Sequence, residues 1–431
     1  MKRSFSFGAA RQWALVVAGT CLIAGTYGLV RLAYGLFLPD IQASVSMGSA
    51  VAGYVSTGAS VAYCAGALAG LAASQRPRLL VAGALMTASI GSIGMAVAAD
   101  LSTFAPSAVL ASTGAGLASP GLVAIVERNL PAGRVDRAQA TVNAGTGPGL
   151  VAAGLLALLL TQWRLGFAAG ATFTAVAGSC VLLLDRRDRD RDRSHPGSAP
   201  GPSTVDSRWL AVLVVPATAA VLLGAASAAV WTYGRAHLVS AGASGSASTV
   251  AWIAIGVGGT ATVLSARLLS AREPSRAWLL STSVVAIAVA ALGLAPDRYR
   301  VAALACGVFG WGFVAASSAL IAWATQLVPD RAAPGTSVLF ISLVLGQAAG
   351  SAAVGAVSGG LGMSTTFVLA AVVALAAAAC ALAPTRPRGA VAVTPVTSLE
   401  TACPQAAAPR SRPCGGRSRY GRPRPSPGRC S

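Results

Sequence analysis

Residues 185–208 read DRRDRDRDRSHPGSAPGPSTVDSR, an Arg-Asp repeat that runs into a Pro/Gly/Ser stretch and forms the most charged segment of the chain's interior. Such a composition cannot bury a core and reads as a flexible linker. What lies on either side of it decides the fold. Uncharged apolar stretches occupy 12–30, 49–72, 79–99, 101–126, 141–161 and 165–184 before it, and 209–234, 249–266, 277–296, 301–329 and 332–385 after it. Each is close to or beyond the roughly 18–20 residues that cross a bilayer's hydrocarbon core. The last is too long for one helix, and Ser358-Gly359-Gly360-Leu361-Gly362 divides it into spans at about 336–357 and 364–383. The reading is an all-α polytopic membrane protein of twelve transmembrane helices. Residues 1–184 and 209–383 form two six-helix bundles, 185–208 the linker, and 384–431 a basic tail expected to be disordered.

Composition agrees. The chain is 55% apolar and only 10% charged, against about a quarter charged in soluble domains. Runs this long and continuously apolar fit helices rather than the alternating strands of a barrel, because no backbone polar group can stay unpaired in lipid. A cleaved signal peptide is excluded for the first run: after Arg31 the apolar sequence resumes through Leu38, and eleven more spans follow.

The formal charge of +19 is a topology signal. With the N-terminus in the cytoplasm, 27 basic residues fall in inside segments and 4 (Arg164, Arg235, Arg298 and Arg300) outside, with Arg31 left within the membrane. That is the positive-inside pattern of a bacterial inner-membrane protein with both termini cytoplasmic. A basic tail beside anionic lipid calls for no nucleic acid. Five cysteines lie within spans and Cys403, Cys414 and Cys430 in the tail, at spacings that fit no metal site. No cofactor is expected.

The two halves match each other at a nearly constant offset. At 198 residues Tyr54 meets Trp252, Arg78 meets Arg276 and Pro131 meets Pro329, and at 199 Tyr34-Gly35 meets Tyr233-Gly234. A six-span unit copied in tandem keeps its orientation, so this is a parallel duplication.

Twelve spans, a parallel 6+6 duplication and a charged central linker resemble the major facilitator superfamily. The loop Asn129-Leu-Pro131-Ala-Gly-Arg134-Val-Asp136-Arg137-Ala resembles that superfamily's loop between spans four and five. Gly145-Thr-Gly147-Pro148-Gly149 resembles its fifth-span glycine-proline motif, most often seen in exporters, and Trp163-Arg164 leading to Phe167 resembles its outer loop before span six. Arg31-Leu-Ala-Tyr34-Gly35-Leu-Phe-Leu-Pro39 resembles one bacterial branch of it. After span two the superfamily pattern sets an Asp-Arg pair between its glycines. Here Ser74-Gln75 and Pro77-Arg78 follow Gly70, so the acidic member is missing. The resemblance implies gating roles for Gly147, Pro148, Arg78 and Arg137.

One charge sits deep in a span. About eight residues separate Arg31 from Pro39, roughly 12 Å at 1.5 Å per residue, and a cation held there costs at least ~2.5–3.5 kcal/mol unless it faces a wet cavity or a partner. Arg31 either attracts an anionic group of the substrate or ties neighbouring helices together. Tyr27, Arg31 and Tyr34 recur at helical spacing on one face. Ser56, Ser60 and Tyr63 do so in span two, where helix-to-helix glue is the favoured reading. Ser227, Trp231 and Arg235 share a face of span seven, with Arg235 expected to snorkel to the surface. Asn143 and Gln347 are side-chain amides inside spans, and each is glue or a substrate contact.

All acidic residues lie at or beyond span ends, so no buried proton relay stands out; Asp40, Glu127 and His237 are edge candidates. No nucleophile-base set or phosphate loop occurs, which argues against an enzyme. The expected function is a secondary transporter moving a small solute by alternating access, with export favoured. Uptake of an organic anion, or a sensor or scaffold that does not transport, are the alternatives. The partners are then the solute, the bilayer and, in a coupled carrier, an ion.

Overall fold

The computed structural model describes residues 2–160, 162–186 and 208–383; most of the linker and the whole tail, with the expectation that the tail is disordered, lie outside the described residues. Among the described residues, twelve helices long and apolar enough to cross a membrane follow one another. Spans 1–6 are Ala10–Val45, Ser49–Ala72, Pro77–Val97, Leu101–Asn129, Ala132–Leu159 and Trp163–Leu184. Spans 7–12 are Val214–Ser240, Gly245–Ser270, Pro274–Leu294, Tyr299–Leu327, Pro329–Leu361 and Met363–Leu382. An even number of crossings brings the chain back to the face where it began, here called the terminal face, opposite the far face. Leu159, Leu183 and Leu264 are 78%, 80% and 88% exposed, and an exterior of bare leucines is stable only against lipid.

Local chemistry sets the helix ends. Asp100 caps span 4, accepting from Ser102 Oγ at 2.7 Å and Thr103 N at 2.9 Å, and these bonds hold its carboxyl below the usual carboxylate range. Ser244 caps span 8. Pro77 and Pro274 open spans 3 and 9, where a missing N–H costs nothing. The break expected over 358–362 is concentrated at Gly362, whose φ of 78° turns the chain sharply after the helix has run on through Leu361.

Two spans depart from regular helix, and both departures bear on function. In span 1 the segment Ala24–Leu32 is a π-helix, so the α-helical spacing read for Tyr27, Arg31 and Tyr34 does not hold there. π-helical turns recur at functional sites, and Arg31 sits at the end of this one. Span 5 is broken between Ala132–Asn143 and Thr146–Leu159. The cause is Pro148, which has no N–H for the carbonyl of Ala144 four residues before it, and the helix gives way at Ala144-Gly145. A Cβ on Gly149 would meet the Ala24 backbone of span 1, and one on Gly147 would meet Thr260 of span 8. The glycines thus let span 5 touch both halves closely.

The halves meet from the far face to mid-depth. Arg235 of span 7 donates to the carbonyl of Leu36 at 2.6 Å and to Asp40 of span 1 at 2.5 Å. Tyr233 donates to the carbonyls of Ser49 and Ser351, both at 3.0 Å. Ser56, Thr232 and Ser351 form a triangle of hydroxyls at 3.0–3.1 Å. Thr57 reaches the carbonyl of Ala348 at 2.7 Å, and Cys64 lies 4.0 Å from that of Ile341. Among the described residues no hydrogen bond or ion pair joins spans 2 and 11 nearer the terminal face than Cys64. Arg235 is therefore not a snorkelling residue as its place near the span end suggested. It is 8% exposed and latches the far face.

Asp185, assigned by composition to the linker, ends span 6 as a buried anchor. Its carboxylate accepts from Arg78 at 2.8 Å, from Arg128 through both Nε and Nη2, and from Asn129 at 2.8 Å. Arg78 thus finds in Asp185 the acid that its own loop lacks, and the pair ties span 6 to spans 3 and 4 within one half. Asp185→Ala would leave two guanidiniums without a counter-charge. Removing one partner of a buried pair costs roughly 3–5 kcal/mol; since Arg78 and Arg128 are about one-third exposed, the expected loss is about 2 kcal/mol, read as a lower melting temperature in detergent. An unchanged melting temperature would remove Asp185 from its anchoring role.

Candidate functional site

Midway between the faces, spans from both halves enclose a cavity of about 40 Å³ whose polar lining includes Arg31, Ser60, Ser112, Trp231, Gln347 and Ser351. A water needs roughly 10–15 Å³ by the same measure, so the space holds two or three. Ligand pockets run to about 300 Å³ or more, so the cavity as it stands is too small to hold a drug-sized solute.

Arg31 carries the charge of the site. Its Nη2 donates to Gln347 Oε1 at 3.3 Å and to Ser60 Oγ at 3.5 Å, both long, and its Cζ lies 4.7 Å from the Tyr63 ring centroid. The ion pairs among the described residues involve other arginines. A guanidinium offers five donors; here one nitrogen makes two weak bonds to neutral groups, and the face of an aromatic ring supplies the remaining attraction.

The other sequence-derived candidates divide. Tyr27 does not line the cavity. Its hydroxyl bonds Tyr63 at 2.8 Å and Ser119 at 3.2 Å, so it holds the ring beneath Arg31. Tyr34 lines the cavity with its ring, while its hydroxyl is taken by the carbonyl of Ala52 at 2.9 Å. Gln347 is 8% exposed and bridges to Arg31 from the opposite half. Trp231 packs edge-on against Trp252, Phe309 and Phe313 with centroids 5.4–6.1 Å apart, and its buried Nε1 has no partner.

Asn143 stands apart. It is exposed at the break in span 5, outside the cavity lining, and donates no side-chain bond among the described residues. Read as a straight helix, span 5 put it inside the membrane facing a neighbour; the break turns it away. Arg137 is likewise exposed, and Arg78 is committed to Asp185 within its own half, so neither joins the halves. Gly147 and Pro148 sit at the break and at the crossing with span 8. His237 is buried at 3% exposure against Phe367, bonded to the carbonyl of Leu292 and away from the cavity. Trp311 donates to Ser265 at 2.9 Å.

Several residues at the cavity or around Arg31 were not read as site residues in the sequence. Ser60 and Tyr63, read as glue, surround Arg31, whereas their neighbour Ser56 does bond between helices as that reading had it. Ser112, Thr232 and Ser351 lie in runs of small residues where periodicity cannot tell a seam from a cavity wall. Among the described residues no three His, Cys, Asp or Glu side chains come together as a metal site would require.

The sequence model described as Major Facilitator Superfamily matches residues 20–340. The chain belongs to this superfamily. Solved structures share its fold over most of their length. The nucleoside transporter NupG is 12% identical, with a TM-score of 0.70 over 86% of this chain and 98% of that one. A D-xylose-proton symporter is 14% identical, with a TM-score of 0.68 over 87% and 98%. A bacterial homolog of the human lysosomal transporter Spinster, inward-facing and unoccupied, is 16% identical, with a TM-score of 0.66 over 87% and 96%. No protein of curated function matches the chain in sequence. At these identities the likeness is one of fold. Superfamily membership and twelve membrane-crossing helices make the chain a multi-pass membrane protein of transporter architecture, and they point to a transporter rather than an enzyme.

Proposed function

We propose that the chain is a secondary carrier that moves a small organic anion by alternating access, with Arg31 holding the anionic group. The observation that carries this is a membrane-embedded guanidinium, in a cavity shared by both halves, that has no acidic partner among the described residues. An intramembrane cation of that kind marks a substrate path by default. The halves rock about this site, opening the far face when the Arg235–Asp40 latch releases. Export is the favoured direction, on the resemblance of Gly147-Pro148-Gly149 to the exporter motif. In a proton-coupled cycle, such as the name of the D-xylose-proton symporter describes for that protein, Asp40 is the candidate acceptor, being the described carboxylate that pairs across the halves.

Purified protein in proteoliposomes tests the reading with matched anionic, neutral and cationic solutes. Anions alone should show flux above protein-free vesicles. Equal flux of all three classes would overturn the assignment of Arg31, and no flux of any solute would favour the non-transporting scaffold.

The charge count supports a terminal face in the cytoplasm of a bacterial inner membrane. A membrane-impermeant thiol reagent should then leave Cys403, Cys414 and Cys430 unlabelled in intact cells and label them in inside-out vesicles. Labelling from outside would reverse the orientation.

A further inference from the structure

Serine and threonine hydroxyls inside these helices usually bond back to the preceding turn: Thr87 to Gly83, Ser281 to Ala277, Ser317 to Phe313 and Ser342 to Val338. Ser112 does not. It is 1% exposed, its Oγ has no partner, and it lines the central cavity. The Nε1 of Trp231, on the same cavity, is in the same state. Water in the cavity can serve both atoms in the free protein, and a substrate oxygen can take its place.

Neither atom bonds the charged group. The Arg31 guanidinium lies toward spans 2 and 11, on Ser60, Tyr63 and Gln347. Trp231 projects from span 7 among Trp252, Phe309 and Phe313 of spans 8 and 10, and Ser112 comes from span 4. An indole N–H can only donate, and a serine hydroxyl can donate or accept. A carboxylate engaged by Arg31 therefore leaves both atoms free to bond a second oxygen.

We propose that Ser112 and Trp231 form an uncharged subsite that reads a hydroxyl or carbonyl oxygen, and that the substrate class is small hydroxy- or keto-carboxylates. This rests on the assignment of Arg31 to the anionic group. Three aromatic neighbours hold the Trp231 ring at steep interplanar angles, and its unpartnered N–H is the polar group the residue offers the substrate. A site that hydrogen-bonds a substrate oxygen rejects the analogue lacking it more strongly than an apolar pocket rejects a missing methylene.

The test compares flux in proteoliposomes of the full chain for propionate, lactate and pyruvate, and for hexanoate with its α-hydroxy and α-keto acids. Wild type should favour the oxygenated acid of a pair by about tenfold or more in kcat/KM, the worth of one such bond. Ser112→Ala and Trp231→Phe should each bring that ratio toward one. Neither should lower the melting temperature by more than a few degrees, since no bond within the protein is lost; Trp231→Phe also keeps an aromatic ring in the cluster. Equal flux of plain and oxygenated acids in wild type, or a ratio that neither variant changes, overturns the subsite and leaves the anion reading standing. Absence of flux for every carboxylate overturns both.

Discussion

Arg31→Ala is expected to reduce substrate flux by roughly 10- to 150-fold, the worth of the 1.5–3 kcal/mol that a hydrogen bond to a charged group supplies. Its effect on stability should be small. The residue bonds only Ser60 and Gln347, at 3.5 and 3.3 Å, and both line a polar cavity that water can occupy. No buried counter-charge is stranded when the guanidinium goes, and a desolvated cation is removed. Arg31→Lys keeps the charge but loses the planar fork of donors, so it should transport more weakly than wild type and better than Arg31→Ala at the same protein level. Flux and detergent melting temperature measured side by side decide the matter. A tying role predicts the reverse pattern, with an unstable Arg31→Ala protein, and a stable variant transporting at the wild-type rate would take Arg31 out of the site.

The fold was legible because the membrane simplifies it. Each run of about twenty apolar residues has one stable conformation in lipid, and the linker and the glycines at 359–362 marked where runs divide. What escaped was the extent of the irregular turns: Pro148 marks span 5 as able to bend, but does not tell that its helix stops at Ala144-Gly145. The π-helical Ala24–Leu32 segment and the break at Ala144-Gly145 have no apolar signature, yet they decide that Tyr27 supports a ring instead of facing solute and that Asn143 leaves the interior. Arg31 was found because a lone charge in lipid is costly wherever it points. Ser112 was missed for the opposite reason: a hydroxyl in a span is ordinary, and only its lack of a partner distinguishes it. Asp185 escaped because composition averaged it with the linker, while its burial comes from Arg78 and Arg128, more than fifty residues away in sequence.

Gly35 gives the most direct access to the transport cycle. A Cβ added there would land on the carbonyl oxygen of Trp231 in the opposite half, which is backbone and cannot swing aside. Gly53 stands in the same relation to the carbonyl of Ser351, and Gly355 to that of Ser49. The far face therefore closes by bringing backbones of the two halves together, beside the Arg235–Asp40 pair. In the proposed cycle the contact disappears when that face opens, so Gly35→Ala strains one state and spares the other. Overpacking of this kind costs about 1–3 kcal/mol, which displaces the equilibrium by roughly 5- to 150-fold toward the far-open state. Flux should fall accordingly, because a carrier that cannot close one face cannot complete its cycle. The melting temperature should change little, since the packing inside each half is untouched. A cysteine placed at Thr232, 3% exposed and bonded to Ser56 and Ser351 in the closed seam, reports the shift: an impermeant reagent applied to the far face should label it faster in the Gly35→Ala background. Wild-type flux with unchanged labelling would show that the seam yields locally and that Gly35 does not govern closure.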